Sequence, residues 1–484
     1  MADLRLKDML NNIQEFYNIL PLVIVGGGIL ISLLVEMFRE KSETALSWIS
    51  VVVFMAAAFY SLATVNSVSV VLQNMLATGG TVNIFYLIFT FGAALVCLLS
   101  MDYMKKYGAN YGEFYLLVQC SVLGMMFMAG AKDLFTIFLG LELMSISFYA
   151  LAGLNRKRLT ANEASLKYFL LGAFATGFTV YGIALIYGSA GTTSLEGITA
   201  RFGSLSGDFI FVTGILLFLI GFSFKIAAFP FHMWVPDVYE GSATTISGLF
   251  STGGKAAAFS AIIVTLGTIF STASPHLFTP YLAVIAVLSM LFGSIVAIMQ
   301  DNIKRMLAYS SIAHAGYMLI GFAAGNYDGI AGIIFYLAAY TFMNLGAFGI
   351  VSIVEGKDEA NLSIQSYAGL GSRSPLLAGL LSVFMFSLAG IPPFAGFFGK
   401  YYVFISAIES GLTWLAIIGV ISSVISVYFY LRIVVLMYFR DAEEAVSPSQ
   451  TSTGLLAVII SVLLVIVLGV APGTIIGLIS SFLS

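Results

Sequence analysis

The sequence predicts an all-α polytopic membrane protein, and three observations support this fold class. The chain has 484 residues, of which 60% are hydrophobic and only 9% are charged. Its mean hydropathy is +1.00, and a soluble domain would carry about 25% charged residues. Apolar runs of about 20 residues, the length a helix needs to cross a bilayer, recur along the whole chain. These features leave no room for a separate soluble domain.

The hydropathy pattern predicts about fourteen transmembrane helices. The first 15 residues are polar and mixed in charge, and the apolar run after them is too long for a cleavable signal. Even the longest polar connections, such as 355–374, are too short to form a domain of their own. The predicted spans lie at 16–38, 44–65, 81–101, 113–130, 132–154, 163–188, 208–232, 242–270, 279–299, 302–323, 328–354, 375–408, 412–438 and 454–482.

The basic residues predict how the chain is oriented in the membrane. Twelve lysines and arginines fall in connections that follow odd-numbered spans, whereas connections after even-numbered spans carry only Lys132 and Arg201. Because short cytoplasmic loops are enriched in positive charge, the odd connections are expected in the cytoplasm. Both termini would then lie on the non-cytoplasmic side of the cell inner (plasma) membrane, with a thylakoid-type membrane as the alternative.

An internal repeat is visible at low identity. Residues 132–151 match residues 300–319, with Asp133 opposite Asp301 at an offset of 168. Each copy would contain five spans, and an odd number of spans makes the second copy inverted relative to the first. Inverted repeats with a broken helix in each copy are typical of secondary transporters, whose sites lie near the membrane midplane beside the breaks.

Prolines predict where the helices break and thereby organise the chain. Pro230 interrupts span 7, and the pair at 392–393 interrupts span 12. The predicted domains are an N-terminal three-helix segment at 1–110, a first five-helix bundle at 111–275, a second, inverted five-helix bundle at 276–440 and a C-terminal transmembrane helix at 441–484.

Four lysines and one glutamate lie inside apolar runs, where an ionised side chain costs roughly 3 kcal/mol or more to insert. A chain that retains such residues usually uses them, so we interpret them as a proton-transfer line, with packing roles as the alternative. The candidates are Glu142 in span 5, Lys167 in span 6, Lys225 in span 7, Lys255 in span 8 and Lys400 in span 12.

The candidates differ in what the sequence predicts for them. Glu142 and Lys225 could form a pair, and separating the two would favour release of the lysine's proton. Lys167 lies one turn inside its span, so it could instead extend to the cytoplasmic interface. His314 in span 10 could relay protons near neutral pH, although a buried, neutral, hydrogen-bonded histidine explains it equally well.

Several function classes are excluded or disfavoured by composition. The net charge of −3 gives no reason to expect nucleic-acid binding. No nucleotide-binding glycine motif and no cysteine cluster occur, and three scattered histidines cannot ligate a haem pair. We therefore expect no redox centre, nucleotide or metal in this chain, so that any driving chemistry would belong to other subunits.

Five segments carry the most distinctive motifs of the chain. They are LGLELMSISFYAL (139–151), EASLKYFLLGA (163–173), GFSFKIAAFPFHMWVPDVYEG (221–241), DNIKRMLAYSSIAHAGYMLIG (301–321) and SLAGIPPFAGFFGKYYVF (387–404). Together these segments resemble the antiporter-like membrane subunits of respiratory complex I, most closely the N type. The turn PDVYEG (236–241) and the lysine at position 400 favour the N type over its M-type sister, and the length argues against the L type. The similarity runs through nearly the whole chain.

The resemblance implies fourteen spans, two inverted five-helix bundles and proton translocation driven by quinone reduction elsewhere in the complex. It assigns this role to Glu142, Lys225, Lys255 and Lys400, with Lys167 as a further channel residue. It also implies partner subunits that hold FMN and Fe–S clusters and react with quinone, a neighbouring antiporter-like subunit and small membrane subunits. The electron donor, whether NADH, NADPH or ferredoxin, is left open. So are two alternatives: an Mrp-type monovalent cation/proton antiporter subunit, and a structural spacer between pumps.

Overall fold

The computed structural model shows an almost entirely helical chain. It describes residues 2–39, 41–270, 278–356, 360–441 and 452–483. The elements of the first half are α1 (Ala2–Phe38), α2 (Glu43–Ala63), β1 (Ser69–Val71), β2 (Leu76–Thr78), α3 (Gly80–Tyr107), α4 (Gly112–Gly130), α5 (Leu134–Ala152), α6 (Leu159–Ala190), α7 (Leu195–Leu205), α8 (Phe209–Lys225), α9 (Val235–Gly241), α10 (Thr244–Leu249), a π-helical turn (Phe250–Gly254) and α11 (Lys255–Phe270).

The second half continues in the same helical style. Its elements are α12 (Thr279–Ile298), α13 (Ile303–Ala324), α14 (Tyr327–Val354), a 3-10 turn (Ile364–Tyr367), α15 (Leu370–Arg373), α16 (Pro375–Ala389), α17 (Ala395–Glu409), α18 (Thr413–Phe439), α19 (Ser452–Val470) and α20 (Pro472–Ser481). Residues 442–451, at the start of the last predicted domain, lie outside the described residues.

Twelve helices among the described residues are long and apolar enough to cross a membrane. They correspond to all the predicted spans except 7 and 12. At span 7 lies α8, which is 17 residues long, and at span 12 lie α16 and α17, with 15 residues each. A helix of 15 to 17 residues rises only about 25 Å, less than a hydrocarbon core of about 30 Å. The prediction of an all-α polytopic membrane protein is confirmed.

The helical runs of spans 7 and 12 are both interrupted beside a lysine. Helix α8 ends at Lys225, and α9 begins only at Val235. Helix α16 ends at Ala389 and is followed by Gly390, whose φ of +86° is a left-handed conformation that glycine adopts without strain. A Cβ at Gly390 would also lie 3.1 Å from the Lys400 ammonium nitrogen, so this position favours glycine twice over.

One backbone bridge occurs twice, at equivalent places in the two halves. Leu134 N donates to Thr193 O and Leu195 N to Lys132 O, which ties the start of α5 to the start of α7. The same pair of bonds recurs 169 residues later, joining 303 to 362 and 364 to 301 at the start of α13. The sequence repeat has an offset of 168 residues, one residue less than the offset of 169 between the two bridges. The inversion of the repeat stays a prediction.

Close helix pairing follows the same spacing. A Cβ added to Gly124 on α4 would meet the backbone of Met144 on α5, 2.6 Å away. A Cβ added to Gly293 on α12 would meet the backbone of Ala313 on α13 at the same distance. Small residues allow helix backbones to approach closely in a membrane, where the hydrophobic effect gives no net drive between helices. The glycines therefore fix α5 and α13, which carry Glu142 and His314.

Burial divides the helices into central and peripheral sets. The most apolar windows of α13, α14 and the run from Thr244 to Gly267 are 94% buried within the chain, whereas that of α6 is only 28% buried. A peripheral apolar helix is expected to face lipid or another membrane subunit. The central helices are the ones that carry Lys255 and His314.

Two elements of the chain were not anticipated by the hydropathy pattern. The antiparallel hairpin of β1 and β2 occupies the connection between α2 and α3. Helix α7 lies between spans 6 and 7, and its buried residues are Leu195, Ile198, Phe202 and Leu205. Their spacing of three and four residues forms one apolar helix face, which is too short to cross the membrane.

Candidate functional site

Lys225 is the last residue of α8, and only 6% of it is exposed. Its Nζ donates to Ser145 Oγ at 2.8 Å and to Tyr149 Oη at 3.2 Å. These hydroxyls lie four residues apart on α5 and therefore on one face of that helix. The ammonium also lies 5.4 Å from the centre of the Tyr149 ring, within cation–π range. The hydrogen bonds described for Lys225 are thus to neutral groups.

Glu142 lies on the same face of α5, one turn before Ser145. Its Oε1 accepts a hydrogen bond of 2.9 Å from Thr176 Oγ1 on the peripheral helix α6. Within the described residues no ion pair of 4.0 Å or less joins Glu142 to Lys225, although the two are close enough to interact electrostatically. A direct pair was the sequence prediction; the structure instead places Ser145 on the helix face between the two charges.

Lys255 follows the π-helical turn and is 1% exposed. Its Nζ donates to the carbonyl oxygen and, at 2.6 Å, to the hydroxyl of Ser311 on α13. The ammonium lies 5.5 Å from the centre of the Tyr340 ring. A π turn shifts the register of a helix locally and is often found at functional sites. Here it ends at Gly254, immediately before the lysine it orients.

His314 lies on α13, 1% exposed, with both ring nitrogens engaged by tyrosine hydroxyls. Nδ1 is 2.8 Å from Tyr336 Oη, and Nε2 is 3.0 Å from Tyr430 Oη. Tyr430 Oη also bonds to Ser310 Oγ. Because each hydroxyl can donate or accept, either tautomer of the imidazole can be accommodated.

His314 lies between Lys255 and Lys400. Its ring centre is 4.9 Å from that of Tyr340, the ring beneath Lys255, and 5.7 Å from that of Tyr317. The ammonium of Lys400 lies 4.9 Å from the Tyr317 ring. Lys255 on α11, His314 on α13 and Lys400 on α17 therefore form one buried row, joined by tyrosines.

Lys400 is 4% exposed and caps the end of the interrupted helix α16. Its Nζ donates to Ala389 O at 2.9 Å and to Leu388 O at 3.2 Å, and to Ser423 Oγ on α18 at 2.8 Å. The last carbonyls of a helix carry partial negative charge and need donors. The break in α16 thus provides the groups that hold this lysine.

Aromatic side chains occupy the space between Lys225 and Lys255. Tyr149, which bonds to Lys225, packs edge-on against Tyr168 at 4.9 Å, and Tyr168 packs against Phe250 at 5.6 Å. Phe250 is the first residue of the π-helical turn, and its ring centre is 4.5 Å from that of Phe148. Among the described residues, no chain of hydrogen bonds links the two lysines across this cluster.

Lys167 belongs to a different environment from Lys225, Lys255 and Lys400. Its side chain is 41% exposed, and its Nζ forms ion pairs with Glu163 Oε1 at 2.7 Å and Asp237 Oδ2 at 2.6 Å. The predicted extension to the interface describes this geometry better than a place in the buried row.

The ion pairs of Lys167 continue into the second half of the chain. Arg305 on α13 bonds to Asp237 at 2.9 Å and to Glu240 at 2.6 Å. Partial burial by itself raises the pKa of the Asp237 carboxyl, but hydrogen bonds from Lys167 and Arg305 outweigh it and hold the pKa below its usual value. The segment PDVYEG, which the sequence predicts as a turn, belongs to helix α9, and its carboxylates join α6 to α13.

The sequence prediction missed the neutral partners of the lysines. Ser145 and Tyr149 lie three and seven residues after Glu142, a helical spacing that could have identified them. Tyr336 and Tyr430 could not have been found in this way, because they come from helices far apart in the sequence. The described residues contain no group of three histidines, cysteines or carboxylates that could hold a metal ion.

The fold and the buried lysines define a class of protein, the antiporter-like ion-translocating membrane subunits. The family model for "NADH:quinone oxidoreductase/Mrp antiporter, TM" matches residues 131–426. The chain is 47% identical to the NADH-quinone oxidoreductase subunit N of Trichlorobacter lovleyi over 480 residues, 96% of this chain and 97% of that protein. The chain therefore belongs to the family of antiporter-like membrane subunits of NADH-quinone oxidoreductase.

Solved structures agree with this family. A chain of respiratory complex I from Thermus thermophilus is 32% identical, with a TM-score of 0.82 over 94% of this chain and 98% of that chain. A chain of the Mrp complex from Dietzia sp. is only 18% identical but has a TM-score of 0.84 over 97% of both chains. The second similarity shows a shared fold and no more.

Proposed function

We propose that this chain is the N-type subunit of a complex I-type quinone oxidoreductase and that it translocates protons. The observation that carries the proposal is the buried row Lys255, His314 and Lys400, in a chain 47% identical to a protein named subunit N. Three titratable side chains in one row are costly inside a membrane protein and are rarely kept without a function.

In this proposal, protons move when the relation between Glu142 and Lys225 changes. The carboxylate favours the protonated form of the lysine by charge attraction, which weakens as the two move apart. Lys225 then passes its proton toward Lys255. Crossing the aromatic cluster at Phe148 and Phe250 requires those rings to move or water to enter. The separation by Ser145 supports a state in which the charges are already apart.

From Lys255 the row offers groups that can both receive and give a proton. The Ser311 hydroxyl contacts Lys255, and the imidazole of His314 can take a proton on one nitrogen while releasing one from the other. Lys400 ends the row beside the interrupted helix α16. The proton leaves from there toward the opposite face.

The driving reaction is expected in other subunits. FMN and Fe–S clusters, or ferredoxin input, would supply electrons to quinone there, and this chain would hold none of these cofactors. A neighbouring antiporter-like subunit and small membrane subunits are the proposed partners. Helix α6, whose apolar face is mostly exposed, is the element best placed to meet one of them. We propose the cell inner membrane as the location, with both termini on the non-cytoplasmic side.

The test is proton pumping by the whole complex in sealed vesicles, driven by quinone reduction. Lys255→Met should reduce coupled proton pumping by about tenfold or more, because a proton relay step typically contributes at least that factor. Lys105→Met is the matched control, since Lys105 is exposed and its ion pair within the described part of the chain is with Asp102 on its own helix. Pumping at the wild-type rate by the Lys255 variant, in an assembled complex, would contradict the proposal.

An Mrp-type cation/proton antiporter subunit is the related alternative, and its support is the shared fold and a family model whose description covers both kinds of protein. The same vesicles discriminate between the two. A complex I-type subunit purifies with flavin and Fe–S proteins and pumps without added sodium, whereas an Mrp-type subunit would require Na⁺ or K⁺ in exchange for protons.

A further inference from the structure

A buried carboxylate outside the lysine row remains without an assigned role. Glu355 follows the last residue of α14 and is 2% exposed. Its Oε2 accepts from Thr244 Oγ1 at 2.6 Å and from Tyr103 Oη at 2.9 Å. Tyr103 Oη in turn accepts from Thr244 N at 3.0 Å, so the three residues form a closed cluster. Burying an ionised carboxylate costs several kcal/mol unless hydrogen bonds or an opposite charge compensate, so a functional role for Glu355 is worth considering.

The cluster lies next to the surface, on the face that carries the connections after odd-numbered spans. Lys106 on α3 is half-buried and donates to Ser352 O at 2.8 Å and to Glu355 O. The next residue, Gly356, is already partly exposed. Glu355 is therefore the buried residue at this end of α14, one residue before the chain becomes partly exposed.

A second observation at the cluster indicates water. Tyr367 Oη, on the 3-10 turn beside Glu355, is buried and has no hydrogen-bond partner among the described residues. Burial first, and then the nearby Glu355 carboxylate, raise the pKa of Tyr367, so its hydroxyl keeps its proton and needs an acceptor. Buried hydroxyls without a protein partner are ordinarily satisfied by ordered water.

Hydroxyl side chains lead from Thr244 directly toward Lys255. Ser247 and Ser251 follow Thr244 at spacings of three and four residues, and Lys255 follows after four more, so all four lie along one side of the same helical run. All of them are at most 1% exposed. At a rise of about 1.5 Å per residue, each step is about 4.5–6 Å, a gap that one water molecule can bridge. The whole run of 11 residues covers about 16 Å, half of a bilayer core.

Helix α14 supplies further polar groups at the far end of this path. Asn344 Nδ2 donates to Ser251 Oγ at 2.6 Å, but Asn344 Oδ1 is buried and finds no partner among the described residues. Tyr340 Oη, one turn earlier on α14, also has no hydrogen bond within 3.5 Å, although the side chains of Ser311 and Asn344 lie close to it; its ring lies beneath the Lys255 ammonium. Two polar atoms beside Lys255 thus lack a close partner among the described residues, and a water molecule between them would supply one.

We infer that Glu355 takes up protons at the face that carries the connections after odd-numbered spans. It passes them through Thr244, Ser247 and Ser251 to Lys255, the first residue of the lysine row. This inference rests on the proposed function. A proton taken from bulk water by the Glu355 carboxylate passes to a water molecule bridging Thr244 and Ser247. Successive hydroxyls and waters each accept one proton and release another, until the Lys255 amine receives one. The carboxylate is then free to be reprotonated.

Two substitutions at Glu355 separate a proton-carrying role from a structural one. Glu355→Gln keeps the length and an oxygen that accepts from both Tyr103 and Thr244, but it cannot titrate. Glu355→Asp is one methylene shorter and fits the cluster worse, but it can titrate. We expect coupled proton pumping to fall about tenfold or more in the Gln variant and to recover partly in the Asp variant. A structural role predicts the reverse order, and that order would overturn the inference.

The relay itself is tested at Thr244, and this pair decides the matter if the Glu355 variants fail to assemble. Thr244→Val keeps the shape but removes the hydroxyl, whereas Thr244→Ser keeps the hydroxyl. We expect Val to slow pumping several-fold and Ser to restore it; equal rates in the two would contradict the relay. Glu113→Gln serves as control, because Glu113 is an exposed acid at the start of α4.

The outcomes distinguish this inference from the proposed function. If Lys255→Met abolishes pumping while Glu355→Gln pumps normally, only the loading role of Glu355 fails. If Lys255→Met itself pumps normally, the proposed function fails first.

Discussion

The surroundings of Lys225 and of the row from Lys255 to Lys400 differ in one chemical respect. Lys225 lies within electrostatic range of a carboxylate, Glu142, which in turn is held by the peripheral helix α6. Lys255 instead bonds to a carbonyl and a hydroxyl of α13, and Lys400 bonds to carbonyls at the end of α16 and to a hydroxyl of α18. A charge can be modulated from outside only where it can move, and α6 is the least buried of the candidate spans among the described residues. The first environment is therefore suited to receive a signal and the second to relay protons.

The offset of 169 residues between the two backbone bridges shows which residues of the two halves correspond. At an offset of 169 residues, Glu142 corresponds to Ser311 and Ser145 to His314. The second half thus has a hydroxyl where the first has an acid, and an imidazole where the first has a hydroxyl. Four predictions test this contrast, in order of decreasing expected effect.

Glu142→Gln should have the largest effect, because it removes the one charge that distinguishes the first environment. The amide oxygen can still accept from Thr176, so the helices should remain packed. We expect coupled proton pumping to fall about tenfold or more, measured in vesicles containing the whole complex. Glu142→Asp, which keeps the charge, should retain a substantial part of the rate. Equal loss in both variants would indicate a packing role.

Ser311→Asp should convert the second environment into an imitation of the first. A carboxylate placed beside Lys255 would form a direct ion pair and hold the lysine's proton, because opposite charges favour the ionised forms. We expect pumping to slow several-fold. Ser311→Ala removes the hydroxyl but leaves the carbonyl that Lys255 also uses, so it should do less harm. The contrast would be wrong if the Asp variant pumped like wild type.

Tyr430→Phe should have a moderate effect by removing the partner of His314 Nε2. A single hydrogen bond is worth about 1 kcal/mol, which corresponds to a change of about fivefold. The pumping rate should fall by about that factor and its pH dependence should shift. Tyr428→Phe on the same helix is the matched control, because Tyr428 is 60% exposed. Identical behaviour of the two variants would argue against a relay role for His314.

Lys167→Gln should have the smallest effect on pumping, less than about twofold, because the lysine is half-exposed and Asp237 keeps its bond to Arg305. A loss as large as that of Glu142→Gln would place Lys167 in the proton path after all.

The contribution of the Asp237 carboxylate to stability should depend on pH. Its pKa is held low, so the contribution is present above the ordinary carboxyl pKa of about 4 and is lost as the pH falls through the lower folded value. The unfolding midpoints of wild type and Asp237→Asn should therefore converge in acid.

The sequence was sufficient to show which apolar runs carry a charged side chain and which carry a proline. A lysine in an apolar run, such as Lys400, and a proline pair nearby stand out by composition alone, because both are costly there. The partners of these lysines did not stand out. Serines and tyrosines are common in membrane helices, so Ser311 and Tyr430 gain meaning only when distant helices are brought together.

Charge placement near the surface was the harder part to predict. Glu355 begins a polar connection in the sequence, yet the structure buries it against α3 and α10. Lys167 lies inside an apolar run, as a channel residue would, yet it forms an ion pair with Asp237. In both cases the depth of a side chain depends on which helix end covers it, and hydropathy along one span does not contain that information.

The central claim is that the buried row carries protons, and Lys400→Met tests it most directly. The measurement is the number of protons translocated per quinone reduced by the assembled complex, together with the rate. The account predicts that the coupled rate collapses or that fewer protons cross for each quinone. Unchanged stoichiometry at the wild-type rate would contradict it.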